Sequence, residues 1–274
     1  MNYSRAVLWA GLFLIWILPS AHAQEKFDSS AWNQVLKEYV HDGLVDYEAL
    51  RAHPEILKRF LAEAEQFPVE ALGEFSREER ITFWINLYNA SVLDLILEEH
   101  PKERIDEIPA AFEIRKIRAI GEFFSLSEVR DQVLRQGFRD ERVLMALVSG
   151  RMDSPKLRNE AFHAEKLEDE LNQAAHDFTE DIHRNQIVPG TKKIFLSPLF
   201  KEFGSDFLLN FGTPDESGKS VETENAVISF FLHHLKNPEK RLFLDSGKYQ
   251  IHYFPTDSRL NDVRNQLAKH NDAK

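Results

Sequence analysis

The sequence predicts a single mixed α+β domain, built on a central buried helix and a small sheet. Amphipathic segments with helical spacing recur along the chain, and short runs typical of strands lie between some of them. No internal repeat, long linker or low-complexity tract divides the sequence. We therefore expect one domain over residues 31–262, preceded by an extension at 24–30 and followed by a polar tail at 263–274.

Residues 1–23 have the pattern of a signal peptide. Arg5 supplies a positive charge, Ala6–Leu18 is apolar, and Ala21-His22-Ala23 matches an A-x-A cleavage site. The apolar run is short for a membrane span, and no second such run follows it. We expect cleavage before Gln24 and export to the periplasm or beyond it, with no stable membrane span. An uncleaved N-terminal anchor is the alternative.

The composition limits the chemistry of the chain. It contains 21 Phe, which supply a bulky core, and no Cys, so disulfides, thiolate nucleophiles and thiolate metal sites are excluded. The formal net charge is −11, and loss of the signal peptide would remove the positive charge of Arg5. Because nonspecific binding to nucleic acid or anionic lipid relies on basic patches, we expect no nucleic-acid partner.

The strongest predicted element is a helix over Arg77–Glu99. Ser76 and Glu79 match a capping box at its start, and His100-Pro101 ends it. Apolar residues nearly encircle this helix, which makes it a central element rather than a surface one. They are Ile81, Phe83, Trp84, Ile85, Leu87, Tyr88, Val92, Leu93, Leu95 and Ile96.

Shorter helices are predicted before this element. Ala31–Val40 has an amphipathic pattern with Gly43 just beyond its end. Asp46 is placed to cap a helical turn over Glu48–Arg51. Pro54 opens a further helix, where its missing N–H costs nothing, and this helix carries one apolar face.

After Pro101 the pattern is mixed. The sequence predicts a hairpin within Phe112–Ser125 and a helix capped by Ser127 that continues to Arg135. Val143–Val148 is a continuous apolar run and predicts a buried strand. A long helix is predicted from about residue 159 to residue 178.

The last part of the chain alternates strands and helices. Lys193–Leu196 predicts a strand, and Ser197-Pro198 then begins a helix with a cap followed by proline. The polar stretch Thr213–Lys219 is predicted to be a loop, and Glu224–Lys236 a helix. Lys248–Tyr253 alternates in the manner of a half-buried strand.

Two amides of the central helix, Asn86 and Asn89, are candidates for a site. They lie one turn apart, and a buried amide must form hydrogen bonds because an unpaired one costs roughly 1–3 kcal/mol. One interpretation is that they tie neighbouring loops to the helix, and the other is that they line a cleft and bind a ligand. The first is favoured because most buried polar groups are satisfied within the protein.

The segment Ser149–Arg158 is a second candidate, since loops between an apolar strand and a helix often hold anions or catalytic groups. Ser154 could act as a nucleophile only with a positioned base, and its context is not G-x-S-x-G. A capping or turn serine is the favoured alternative. Arg158, near the predicted helix start, suggests a carboxylate or an anionic ligand as its partner.

No pattern indicates a metal or a cofactor. There is no H-E-x-x-H spacing, the adjacent His233 and His234 point to different sides of a helix, and no glycine-rich phosphate loop occurs. We therefore expect neither a metal site nor a cofactor.

Several separated segments together resemble the family of domain of unknown function 547. They are GLVDYEALR (Gly43–Arg51), ITFWINLYNA (Ile81–Ala90), FSLSEVRDQVLR (Phe124–Arg135), DERVLMALVSGRMDSPKLR (Asp140–Arg158), IFLSPLFKEFGSDF (Ile194–Phe207) and TDSRLN (Thr256–Asn261). Their order and spacing agree from about Trp32 to Asn261. The resemblance implies an α+β domain, exported in many bacterial members, without an established reaction. A distant similarity to papain-like or transglutaminase-like cysteine hydrolases is a further hypothesis.

The resemblance also shows departures from the family. The family commonly has a Glu-His pair where this chain has Arg130 and Asp131, and cysteines at the positions of Ser149 and Ser154. Where the family commonly has a Trp, this chain has Ser258. Other positions of the family pattern are kept, among them Asn86, Asn89, Arg135, Arg158 and Asp257.

A chain that keeps the family's scaffold residues but lacks its reactive groups is predicted to be a non-catalytic binding or interaction module. We expect the ligand-binding residues to come from Asn86, Asn89, Arg135, Ser154, Arg158 and Asp257. The ligand would be a peptide, a small molecule or an envelope protein. The alternative is a hydrolase or transferase acting on peptides or cell-envelope fragments through Ser154 or a carboxylate, and a structural role in an envelope complex is a third hypothesis.

Overall fold

The computed structural model of the protein describes residues 26–113, 116–212 and 222–265. The predicted signal peptide, the predicted loop at 213–219 and the tail beyond residue 265 lie outside the described residues. Within them, helices dominate and short strands form two-stranded sheets, which confirms the predicted α+β class.

The α-helices and strands of the described residues are numbered in chain order. The helices are α1 (Ser30–Tyr39), α2 (Tyr47–Ala52), α3 (Glu55–Gln66), α4 (Val69–Gly73), α5 (Arg77–Glu99), α6 (Val143–Ala146), α7 (Leu167–Glu180), α8 (Pro198–Glu202), α9 (Leu208–Phe211), α10 (Thr223–His234) and α11 (Pro238–Asp245). The strands are β1 (Val40–His41), β2 (Leu44–Val45), β3 (Lys116–Ala119), β4 (Glu122–Ser125), β5 (Lys193–Leu196) and β6 (Gln250–Tyr253). A π-helix covers Glu128–Gln136.

Helix α5 has the predicted bounds and the predicted central position. The Ser76 side chain accepts from the Glu79 N–H and the Glu79 carboxylate accepts from the Ser76 N–H, which completes the capping box. Every residue from Ile81 to Leu97 is buried, so the helix is enclosed on all sides. At its end His100 adopts a left-handed conformation, with φ 52°.

In the part of the chain that the structure describes, the core consists of two hydrophobic clusters. The first surrounds α5 and includes buried residues of α1, α2 and α3. The second is rich in phenylalanine and contains Phe178, Phe200, Phe207, Phe230 and Phe231. Their rings lie edge-on or tilted to one another, as between Phe207 and Phe230 with 4.8 Å between centroids.

Helix α6 contributes residues to both clusters, and it lies where the sequence predicts a strand. Val143–Val148 was expected to be a strand, but Val143–Ala146 is one turn of helix. Val143 and Ala146 pack in the first cluster, whereas Leu144 and Met145 pack in the second. The run is continuously apolar because both sides of this turn are buried, a pattern that a buried strand shares.

Within the described residues, the strands form three separate two-stranded pairs instead of one small sheet. The β1–β2 hairpin turns at Asp42 and Gly43, which both have positive φ (49° and 83°). The β3–β4 hairpin lies where it was predicted. Strands β5 and β6 are parallel, with Ile194 opposite Ile251, and bring the C-terminal segment back to the middle of the chain.

Two predicted helix starts are wrong. The N–H of Glu128 is capped by the Ser125 hydroxyl (3.1 Å), while Ser127 makes no side-chain cap, and the helix that follows is a π-helix. The long helix predicted from about residue 159 begins at Leu167, after a 3₁₀ turn. The residues before it are held outside a helix by side-chain bonds: Ala161 N–H donates to Asn33 Oδ1 at 3.1 Å.

Candidate functional site

The candidate site is built on the segment Ser149–Arg158, which leaves α6 through two buried residues. Asn89 of α5 holds this exit in place. Its Nδ2 donates to the Ala146 carbonyl (2.9 Å) and its Oδ1 accepts from the Val148 N–H (3.0 Å). The side chain of one helix residue thereby supplies the hydrogen bonds that a neighbouring strand would otherwise supply.

Asn86 binds a second segment in the same way. Its Nδ2 donates to the Phe162 carbonyl and its Oδ1 accepts from the Phe162 N–H, both at 3.0 Å. Both asparagines are buried. These contacts support the interpretation that the two amides tie loops to α5, and a contribution of either amide to ligand binding stays a prediction.

Gly150 explains how the segment can pass so close to α5. Its φ is +71°, a conformation that side chains rarely adopt, and a Cβ at this position would lie 2.6 Å from the Ile96 side chain. Its carbonyl also accepts from the Asn261 N–H (2.9 Å), which connects the loop to the C-terminal segment. Glycine is therefore required here for both conformation and space.

Ser154 is buried, and its hydroxyl bonds its own loop. The Oγ donates to the Arg151 carbonyl at 2.8 Å and lies 3.3 Å from the Pro155 carbonyl. Among the described residues, neither a histidine nor a carboxylate hydrogen-bonds this hydroxyl. Because a serine nucleophile needs a base within hydrogen-bond reach, this geometry is that of a turn serine.

Ser154 also lines a cavity of about 240 Å³. The Ser149 Oγ, which lies in the lining of this cavity, is buried and has no hydrogen-bond partner among the described residues. The cavity wall further includes Tyr88, Arg130 and Glu202. Burial raises the pKa of Tyr88 to about 12, so its phenol is neutral near pH 7.

An ion-pair network surrounds Arg130 and Asp131, the two positions at which the sequence was expected to depart from the family pattern. Arg130 binds Asp131 through two hydrogen bonds of 2.8 Å. Arg135 binds the same Asp131 (2.6 Å) and both carboxylate oxygens of Asp206 (2.6 and 2.8 Å). The guanidinium of Arg135 also lies over the Phe203 ring, 4.2 Å from its centroid.

This network keeps its carboxylate ionised. Burial raises the pKa of Asp131, but the hydrogen bonds from Arg130 and Arg135 outweigh burial and leave the pKa below its usual value. For Arg130, burial lowers the pKa and the bonds to Asp131 raise it by more. Asp131 is thus an acceptor shared by two arginines, and a poor proton acceptor near neutral pH. The predicted site residue Arg135 belongs to this network.

Arg158 has an internal carboxylate as its partner. Its Nη2 donates to Glu170 of α7 at 3.1 Å, and its guanidinium lies 4.3 Å from the centroid of the Phe162 ring. The same Glu170 accepts from the N–H of His163 (2.8 Å). Of the two predicted partners, a protein carboxylate or an anionic ligand, the structure contains the carboxylate.

Asp257 lies on the other side of the loop. Its backbone N–H donates to Asp153 Oδ2 (2.9 Å), and Asp153 Oδ1 accepts from Arg151 (2.9 Å). The Asp257 carboxylate binds Arg259. These bonds link the candidate loop to the residues that follow β6.

Two larger cavities flank the loop. One of about 610 Å³ is lined by residues of the loop and of α7, including Arg158 and Asp177. The other, of about 520 Å³, includes Asp257 and Met152 in its wall. Lys156 lines both of these cavities. The predicted site residues Ser154, Arg158 and Asp257 each line a different one of three adjacent cavities around Ser149–Arg158.

Sequence reasoning missed Arg184, which holds the loop from outside. Its Nε donates to the Ser154 carbonyl (2.6 Å) and its Nη2 to the Met152 carbonyl (3.0 Å), while Asp181 balances its charge. The sequence contains no signal for this contact, since the partners are some thirty residues apart and the acceptors are backbone atoms.

Across the part of the chain that the structure describes, no group of three or more His, Cys, Asp or Glu is arranged to hold a metal ion. None of the helices in these same ranges is both long enough and apolar enough to cross a membrane.

The fold and the site thus define an α+β protein with three adjacent cavities around one loop. Amide hydrogen bonds and ion pairs hold this loop in place. The family model described as "Protein of unknown function, DUF547" matches residues 72–179, which include α5, the π-helix and the candidate loop. Over this range the chain resembles that family, as its sequence segments indicated. No curated protein and no solved structure matches the chain. The distant similarity to papain-like or transglutaminase-like hydrolases therefore stays a hypothesis.

Proposed function

We propose that this protein is an exported, non-catalytic binding module whose ligand occupies the cavities around Ser149–Arg158. The observation that carries the proposal is the state of Ser154, whose hydroxyl donates to the carbonyl of Arg151 in its own loop. The Arg130–Asp131 pair supports it further, because an ionised carboxylate held by two arginines is a weak base. Export is supported by the signal-peptide pattern of residues 1–23.

The three adjacent cavities support binding rather than a purely structural role. Their volumes, about 240, 520 and 610 Å³, are of the order found in ligand sites. Their walls combine apolar side chains with many charged ones, and charged groups can orient a polar ligand. The loop between them is held by Asn89, Arg184 and Gly150, so the cavities are preformed.

Complementation of a host strain that lacks the gene tests the proposal. Ser154→Ala should retain the cellular role, since it removes a hydroxyl that bonds its own loop. Lys156→Glu should impair the role, because it replaces the ion pair with Asp42 by a like-charge repulsion and so disturbs the wall that both larger cavities share. Lys37→Glu, an exposed position outside those walls, is the matched control for charge.

Circular dichroism of each purified variant establishes that it folds. If folded Ser154→Ala loses the cellular role, the proposal is wrong and the hydrolase or transferase alternative is favoured. If Lys156→Glu retains the role as fully as Lys37→Glu does, the two larger cavities do not bind the ligand.

A further inference from the structure

The backbone of the segment Lys156–Glu160 is not hydrogen-bonded within the described part of the protein. No hydrogen bond joins its N–H or C=O groups to any described residue, although the chain runs without a turn or bend as far as Arg158. Leu157 is only 4 % exposed and anchors the segment in the first core cluster. Lys156, Asn159 and Glu160 are exposed, so their unpaired backbone groups are open to water, and an added peptide strand is another way to pair them.

The two larger cavities lie beside this segment. Both include Lys156 in their walls, together with Asp42 and Gly43 of the β1–β2 turn. A Cβ on Gly43 would lie 2.7 Å from the Lys156 side chain, so the turn and the segment are in direct contact. Alternate side chains of an extended peptide point in opposite directions, so different side chains of one peptide can reach two adjacent cavities.

The charge of the larger cavity indicates what it would accept. Its wall contains the carboxylates of Asp177, Glu180 and Asp181 at the C-terminal end of α7, where the helix dipole also favours a cation. Asp181 pairs with Arg184 and Glu180 with Lys240.

Asp177 differs from these two neighbours. It is exposed, its carboxylate accepts from the Gln173 amide (2.6 Å), and it forms no salt bridge with a described cation. Of the positive groups in the same wall, Lys156 pairs with Asp42 and Arg158 Nη2 with Glu170, while the buried Arg158 Nη1 has no hydrogen-bond partner among the described residues and can donate to a peptide carbonyl. The net charge of −11 would also attract a basic partner.

We infer that the ligand is an extended peptide that pairs its main chain with Lys156–Arg158 and places a basic side chain in the larger cavity beside Asp177. This inference rests on the proposed function and names its ligand class. The main chain supplies affinity, and the cavity beside α7 supplies the preference for Lys or Arg.

Selection of random short peptides displayed against the mature protein tests the inference. The enriched peptides should carry a basic residue. On saturation with a selected peptide, amide hydrogen exchange at Lys156–Arg158 should slow by on the order of tenfold or more, because pairing removes these amides from water. N-methylation of the peptide backbone at alternate residues should abolish binding, since it removes main-chain donors.

Two matched variants examine the charge. Asp177→Asn should weaken binding of the selected peptide by about two- to fivefold, the usual effect of one exposed ion pair. Asp169→Asn removes the same charge from an exposed position near the start of α7 and should leave the affinity unchanged.

The inference is overturned if no peptide is enriched, if the protected amides lie elsewhere, or if both variants change the affinity equally. A non-peptide ligand bound in the same cavities would overturn the inference and leave the proposed function standing. Cleavage of a selected peptide that depends on Ser154 would instead overturn the proposed function.

Discussion

Replacement of Asn89 by Ala should destabilise the protein strongly, because one side chain satisfies two backbone groups. The variant would leave the Ala146 carbonyl and the Val148 N–H without the amide that bonds them at 2.9 and 3.0 Å. Both residues are buried, at 5 % and 1 % exposure, so water cannot easily replace the amide. An unsatisfied buried group costs roughly 1–3 kcal/mol, which gives about 2–6 kcal/mol for the pair.

Urea unfolding of a chain that begins at Gln24 measures this loss. Trp32 and Trp84 are both buried, so tryptophan fluorescence reports the transition. The whole stability of a domain is about 5–15 kcal/mol, so the midpoint should fall markedly at an unchanged slope.

Asn225→Ala is the control, because Asn225 is exposed on α10 and should change stability by less than about 0.5 kcal/mol. A loss below about 1 kcal/mol for Asn89→Ala, at an unchanged slope, would refute the reasoning that this amide holds the exit of α6.

Three further predictions concern the core, the pH dependence and the processing of the chain. Trp84→Ala should cost about 3–5 kcal/mol, because the ring is 5 % exposed and meets Phe83 and Phe124 edge-on; an unchanged melting midpoint would contradict its place in the core. Burial, with nearby His233, Arg142 and His176, lowers the pKa of His234 from 6.5 to about 4. The unfolded chain then binds this proton first as the pH falls, so stability should decline by up to about 3 kcal/mol between pH 6.5 and 4. Urea titrations across this range should show a shallower decline for His234→Gln, and an identical slope would show that His234 is not responsible. Mass spectrometry of the exported protein should find Gln24 as its first residue. An intact Met1 in a membrane fraction would show that the signal-peptide prediction is wrong.

The sequence by itself determined those elements whose signals are local. The bounds of α5 follow from the Ser76–Glu79 capping box and the stop at His100-Pro101, and its burial follows from apolar residues around its whole circumference. Asp46 and Ser197 cap helices as their positions predicted. In each case the groups that interact lie within one helical turn, so a short stretch of sequence contains both partners.

The tertiary structure alone decided the conformation and the contacts of the candidate loop. The run Val143–Val148 is apolar because two clusters bury α6, and a single sequence does not show how many sides of a segment are covered. Arg158 finds its carboxylate on α7, Arg184 binds backbone carbonyls some thirty residues away, and Asn89 bonds backbone atoms nearly sixty residues away. These contacts form only when distant segments of the chain pack together. The spacing of residues in the sequence does not show which distant segments will meet.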